Sequence, residues 1–334
     1  MPRPSAHRRF LARYRTASKV ELHLHLEGCV APATLVRLST RWPHPIFPDI
    51  PSVRARQAGR GDFRRFLGFY RDVCRCLAGP PDYAALARDL LRRLRRERIR
   101  RAEVYVSPAV VEKIGLAWDP VRDALEAVFA DHERRGGGLV RVLYDAVRQW
   151  GPAAAHRVLD LEERRPWPRA VGFGLGGDES AVPAREYARV YARVRALGLA
   201  PLVHAGEWRG PDSVADVLRW LKPVRIGHGI RASEDAALMR VLARRGVVLD
   251  VCPSSNVATG ALSSIGDVAG RVRALLGAGV PVTISTDDPG LFGTTLHGEY
   301  RKLAAAGLTG AELARLSAFS KTATLRATGR ARRR

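Results

Sequence analysis

Glu21-Leu22-His23-Leu24-His25-Leu26-Glu27 alternates strictly between ionisable and aliphatic side chains. An extended strand sends successive side chains to opposite faces. Glu21, His23, His25 and Glu27 are therefore expected on one face, and Val20, Leu22, Leu24 and Leu26 on the other. Taken alone, the stretch fits two readings. It can be an edge strand with a wet polar face, or a strand whose two imidazoles reach a common metal ion. The rest of the chain decides between them.

Outward from this strand (residues 19–26), short apolar runs recur at 101–106, 139–145, 169–174, 200–205, 225–228, 247–251 and 281–286. Amphipathic helical patterns separate them at 119–134, 152–165, 183–197, 211–221, 233–245 and 268–276. Prolines or small polar residues open most of these helices and glycines close several, as helix ends prefer. Strand–helix alternation implies a parallel sheet, and eight rounds imply a closed barrel. The expected fold is α/β, a (β/α)8 TIM barrel with a helical insertion after strand 1 at residues 31–100. The 334 residues exceed the ~250 typical of such barrels. No low-complexity linker or internal repeat divides the chain. We expect a basic extension at 1–18, one barrel domain at 19–325, and a basic, disordered tail at 326–334.

Composition narrows the class further. No apolar run approaches the ~20 residues of a membrane helix, and the N-terminus lacks a secretory apolar segment. A cytoplasmic protein without a membrane partner is expected. Cys29, Cys74, Cys76 and Cys252 are scattered, and Cys74 and Cys76 lack the two-residue spacing of redox or zinc-ribbon motifs. They read as reduced, buried thiols. The net charge is +23, and of 56 basic residues only Lys19, Lys113, Lys222, Lys302 and Lys321 are lysine. Such a surface attracts polyanions nonspecifically. Yet the arginines spread over helix faces such as residues 90–98 with no stacking aromatics between them. They read as a solvated surface, and no specific nucleic-acid partner is expected.

In a barrel of this kind the chemistry gathers at the C-terminal ends of the strands. Those ends carry His23 and His25, His204 and Glu207, His228 between two glycines, Asp250 and Cys252, and Asp287 beside Asp288. Any one of these histidines alone is more simply a satisfied core residue. Four at strand ends, together with an Asp-Asp pair, point to a metal. Three neutral imidazoles and one carboxylate suit zinc above all, so His23, His25, His204 and Asp287 are the expected ligands of one Zn2+. A catalytic site leaves a position for water, whose pKa the ion lowers to about 7. His228 then remains as a base, and Glu207 as a carboxyl able to donate a proton. Asp288 is placed to share a proton with a polar ligand.

These pieces resemble the adenosine deaminase family of the metal-dependent amidohydrolase superfamily. The matching segments are ELHLHLEG (21–28), GLGGDE (174–179), HAGE (204–207), RIGHG (225–229), CPSSN (252–256) and STDDPG (285–290), in the family's order over nearly the whole chain. The resemblance implies that His23, His25, His204 and Asp287 bind zinc and that Glu207 protonates purine N1. It further implies that His228 orients and deprotonates the attacking water, that Asp288 hydrogen-bonds N7, and that the Gly177 N–H holds N3. The cytidine-type deaminases pair H-x-E with P-C-x-x-C, and no P-C-x-x-C is present here.

One departure bears on substrate. Glu27 stands where adenosine-specific members carry Asp, a residue that meets the ribose 5′ hydroxyl. GLGG (174–177) and VRQ (147–149) resemble the nucleoside-acting branches. The expected substrate is an adenosine-type purine nucleoside, either adenosine or a 5′-modified adenosine such as 6-amino-6-deoxyfutalosine. Alternatives are adenine deaminase, another mononuclear amidohydrolase, or a non-catalytic nucleic-acid-binding barrel. The fourth strand ends Phe173-Gly174-Leu175 without the lysine that holds a second metal in related barrels, so one metal is expected.

Overall fold

Eight parallel strands follow one another in chain order around a single sheet in the computed structural model, which describes residues 6–59 and 61–326. They are β1 (Lys19–His25), β2 (Ile99–Val106), β3 (Leu139–Val147), β4 (Ala170–Gly176), β5 (Ala200–Ala205), β6 (Arg225–His228), β7 (Val248–Val251) and β8 (Val282–Ile284). The ring closes just past β8, where His25 N donates to Asp287 O at 3.0 Å and Asp287 N donates to His23 O at 3.2 Å. The (β/α)8 barrel read from the sequence is the observed fold. The edge-strand reading of 21–27 is excluded, because β1 has hydrogen-bonded neighbours on both sides.

The strict alternation in β1 does not survive intact. Glu21 pairs with Ala102 and Leu24 with Val104, so three steps on β1 match two on β2. Such a bulge turns the side chains on either side of it to different faces. Glu21 consequently leaves the face of His23 and His25. It accepts from Arg93 Nη1 at 2.8 Å, on the helix Pro80–Glu97, and from Thr286 N at 3.0 Å. The expectation that Glu21 shares the histidines' face is corrected by this register shift.

The insertion between β1 and β2 contains four helices: Pro32–Ser39, Ile50–Ala58, Phe63–Arg75 and Pro80–Glu97. Asp62 begins the third of these by accepting from Arg64 N and Arg65 N, the usual N-cap arrangement. Farther along, the pattern at 183–197 divides into a 3₁₀ turn, Ala184–Tyr187, and a helix, Ala188–Ala196. Asp235 caps the helix Ala236–Arg245 and ends a preceding 3₁₀ turn. In the basic extension, residues Ala6–Thr16 form a helix that buries Tyr14 against Tyr300, 4.2 Å between ring centroids. The disorder expected for 326–334 concerns residues outside those described, apart from Arg326. No helix of the described residues is long and apolar enough to cross a membrane. All four cysteines are free and buried.

Inside the barrel, Tyr105, Leu143, Val171 and Leu202 form a small buried cluster apart from the main core. Below the strand ends, Arg225 lies between Asp250 (Nε to Oδ2, 2.6 Å) and Glu103 (Nη1 to Oε2, 2.8 Å), all three fully buried. Buried charges persist only when paired in this way. The network and the Tyr105 ring make the floor on which the histidines stand.

Candidate active site

His23 and His25 leave β1, His204 leaves β5, and Asp287 follows β8. Barrel closure itself presses Asp287 against β1, and the residue holds a left-handed backbone with φ of 64°. That conformation is costly for a non-glycine residue and collects at functional sites. His23 Nε2 lies 3.0 Å from His204 Nε2 and 3.3 Å from Asp287 Oδ1. His25 Nε2 is also 3.3 Å from Asp287 Oδ1. The Tyr105 ring supports both β1 imidazoles, stacking on His25 at 4.9 Å and meeting His23 edge-on at 5.0 Å.

These donors suit a divalent ion. Ligand atoms of His23, His25 and His204 all lie within 4.8 Å of one another, as do those of His23, His228 and Asp287. Burial drives His23 well below the usual imidazole pKa, brings His25 down to about 3, and lowers His204 as well. Neutral imidazoles offer lone pairs where charged ones would repel a cation. Burial pushes Asp287 upward, but the imidazoles of His228 and His25 outweigh it and hold the carboxylate below its ordinary range. His23 Nδ1 faces Asp250 Oδ2 at 4.0 Å, in the manner of the outer carboxylates that orient metal-binding histidines. Gly227 makes room for the cluster, since a Cβ there would sit 2.7 Å from His23 Cε1 and 3.1 Å from His204 Cδ2.

The remaining expected residues ring these four. His228, at φ of 59°, presents Nε2 to Glu207 Oε2 at 3.4 Å and to Asp287 Oδ2 at 3.9 Å. Burial, then the charges of Asp287 and Glu179, hold the Glu207 carboxyl well above its ordinary range. Asp288 is raised by burial and by Asp287, Glu27 and Glu207. It lies against Gly28, where any Cβ would collide with its carboxylate. One site thus holds imidazoles shifted toward the neutral form, one carboxylate held below its ordinary range and two carboxyls raised above theirs.

Above these groups opens a cavity of about 500 Å³. Its floor includes His25, His204, Glu207, His228, Asp287 and Asp288. Its outer wall is the insertion helix Phe63–Arg75, contributing Phe63, Phe66, Tyr70 and the basic side chains of Arg64, Arg71 and Arg75, with Lys113 opposite. Gly177 lines it too, at φ of 95°, where a side chain would strike Gln149. Close approach of backbone to ligand is one reason for glycine at such a point. Glu27 does not line the cavity. It begins the 3₁₀ turn Glu27–Cys29, is buried, and accepts from the Tyr70 hydroxyl at 3.0 Å. Burial raises its carboxyl to about 7.

Three residues of the site had no assigned role in the sequence reading. Asp145, in β3, lines the cavity, and burial pushes its carboxyl up to about 8. Asn256 lies 3.2 Å through Nδ2 from His228 Nδ1. Glu179 is buried behind Glu207. Each stood in a quoted segment or at a strand end, which was the only available signal.

The adenosine deaminase family model matches residues 18–331. An adenine deaminase of Agrobacterium fabrum is 36% identical over 90% of this chain and 91% of its own length. An aminodeoxyfutalosine deaminase of Streptomyces avermitilis is 34% identical over 84% of this chain and 79% of its own length. Among solved structures, an adenine deaminase from Arthrobacter aurescens superposes with a TM-score of 0.86 at 28% identity, covering 94% of this chain and 96% of its own. An amidohydrolase from Burkholderia ambifaria with bound Zn gives 0.85 at 25% identity, covering 98% and 90%.

Proposed function

The chain belongs to the adenosine deaminase family, and we propose that it is a zinc-dependent hydrolytic deaminase of an adenosine-type purine nucleoside. The 6-amino group would be replaced by 6-oxo with release of ammonia. One observation carries this reading: His23, His25, His204 and Asp287 converge at the cavity floor beside a raised Glu207 and a neutral His228. Those four residues would hold the zinc, which when bound polarises water and lowers its pKa to about 7.

The protein groups supply the rest. Glu207, whose carboxyl burial raises well above its ordinary range, donates to purine N1 and draws electrons from C6. His228 takes the proton of the attacking water at Nε2. Asp288, whose carboxyl is also raised, hydrogen-bonds N7, and the Gly177 N–H donates to N3. Water oxygen bonds to C6, the C6–N bond breaks, and the amine leaves as ammonia after protonation. General acid–base groups work through pKa values that their surroundings shift, and burial raises Glu207 and lowers His228 here.

The cavity supports a substrate larger than a free base. Beyond the polar floor, Phe63, Phe66, Arg64, Arg71, Arg75 and Lys113 line space that a bare purine would leave empty. Apolar rings and cations, of which Arg71 and Arg75 also face Asp72 at 4.0 and 3.9 Å, suit a 5′-substituted adenosine with an aromatic or anionic group. The Streptomyces avermitilis relative is named for such a compound. Adenine is the second reading, favoured by the naming of the Agrobacterium fabrum relative. An ammonia-release screen over adenine, adenosine, 5′-deoxyadenosine and 5′-substituted adenosines, aminodeoxyfutalosine included, separates them. The highest kcat/KM is expected for a 5′-substituted nucleoside. A preference for adenine moves the function to the second reading, and no ammonia from any of them removes the deaminase reading.

Glu27→Asp tests the sugar subsite. Shortening the side chain withdraws the carboxylate from Tyr70, which lines the cavity. The kcat/KM ratio of adenosine to 5′-substituted adenosine is expected to rise roughly tenfold, equivalent to about 1.4 kcal/mol. An unchanged ratio would show that Glu27 does not read the sugar.

A further inference from the structure

The geometry points to Glu179 as the positioning residue of the general acid: its carboxylate folds the loop after β5 around itself and so aims Glu207. The inference rests on the proposed role of Glu207 and adds a residue to it.

Four donors converge on this one buried carboxylate. Oε1 accepts from Glu207 N at 2.8 Å and from Trp208 N at 3.0 Å. Oε2 accepts from Gly206 N at 2.8 Å and from Ser213 Oγ at 2.7 Å. Three successive backbone N–H groups curling around an anion form a nest. Gly206 permits the curl at φ of 66°. Arg148 fastens the same two segments from below, Nη2 donating to His204 O at 2.9 Å and Nη1 to Glu179 O at 3.3 Å. The backbone of the acid is therefore fixed by groups on both sides, and its side chain meets His228 at 3.4 Å.

Two residues before Glu179 stands Gly177, on the cavity wall. Gln149 Oε1 holds the segment between them by accepting from Asp178 N at 3.1 Å. One short stretch thus touches the substrate's ring edge and clamps the loop that protonates the ring. Glutamine cannot replace Glu179 in this arrangement. Its amide nitrogen is a donor and would face donors on one side of the nest.

The test is a double-variant cycle read by kcat and KM. Glu179→Gln is expected to lower kcat on the order of 10- to 100-fold, the scale of a misplacement near 1 Å, with KM nearly unchanged. In the Glu207→Gln background the same substitution is expected to cost nothing further, because its effect passes through Glu207. A merely structural role would multiply the two losses, and that result overturns the inference. Ser213→Ala removes one donor and leaves the nest otherwise intact. It is expected to lower kcat a few-fold in the wild-type background and not at all beside Glu207→Gln. If Glu179→Gln does not fold, Ser213→Ala decides, and an unchanged kcat counts against the clamp. Amide exchange at Gly206, Glu207 and Trp208 gives a readout independent of turnover. It should be slow in the wild type and fast in Glu179→Gln, and equal rates contradict the clamp. Wild-type protein that releases no ammonia overturns the deaminase reading instead, while exchange still tests the clamp.

Discussion

Glu207→Gln is expected to bind zinc with the same stoichiometry and to lose kcat by about 10²–10⁴-fold, the usual range for a general acid or base. The side chain lies at the cavity floor, 3.4 Å from His228 Nε2. Burial and two neighbouring carboxylates raise its carboxyl well above the ordinary range. Glutamine preserves volume and can still donate a hydrogen bond to N1, but it cannot transfer the proton. Substrate should therefore bind with nearly unchanged KM while the ring stays unactivated. Steady-state kinetics with metal analysis of the same preparation separate the two effects. A near-wild-type kcat would remove Glu207 from the chemistry.

Gly227→Ala, one methyl group, is expected to reduce zinc content by more than half and activity by about 100-fold or more. The added carbon would sit 2.7 Å from His23 Cε1 and 3.1 Å from His204 Cδ2. Both are ring atoms of buried side chains, not the ends of flexible ones, so a ring must turn or the β6 backbone must shift. Either movement separates nitrogens that now lie 3.0 Å apart, and metal sites tolerate only a few tenths of an ångström. Elemental analysis beside activity checks this. Full zinc occupancy with unaltered turnover would show that the site relaxes more easily than its packing implies.

The ordered motifs made the barrel readable and pointed to groups that the fold gathers at the strand ends, because chemistry at strand ends leaves local traces in sequence. His204 and Glu207 sit three residues apart, and Asp287 and Asp288 are adjacent, so each pair announces itself. What the pattern could not reveal is where the chain bends. Strict alternation at 21–27 places Glu21 beside His23, whereas a bulge sends it to Arg93. Nothing in the composition of β1 marks that extra step. Glu27 read as a sugar contact, yet it stands behind Tyr70, a residue contributed by the insertion 43 positions later. Glu179 escaped for a similar reason, since its partners lie 27 to 34 residues downstream. Only the fold brings them together.

Anomalous diffraction at the zinc edge, from crystals of the protein as purified, tests the central claim most directly. A single peak is expected within about 2.0–2.2 Å of His23, His25 and His204 nitrogens and an Asp287 oxygen, the distances zinc takes to such ligands. No peak, or one that these four side chains do not share, would contradict the account.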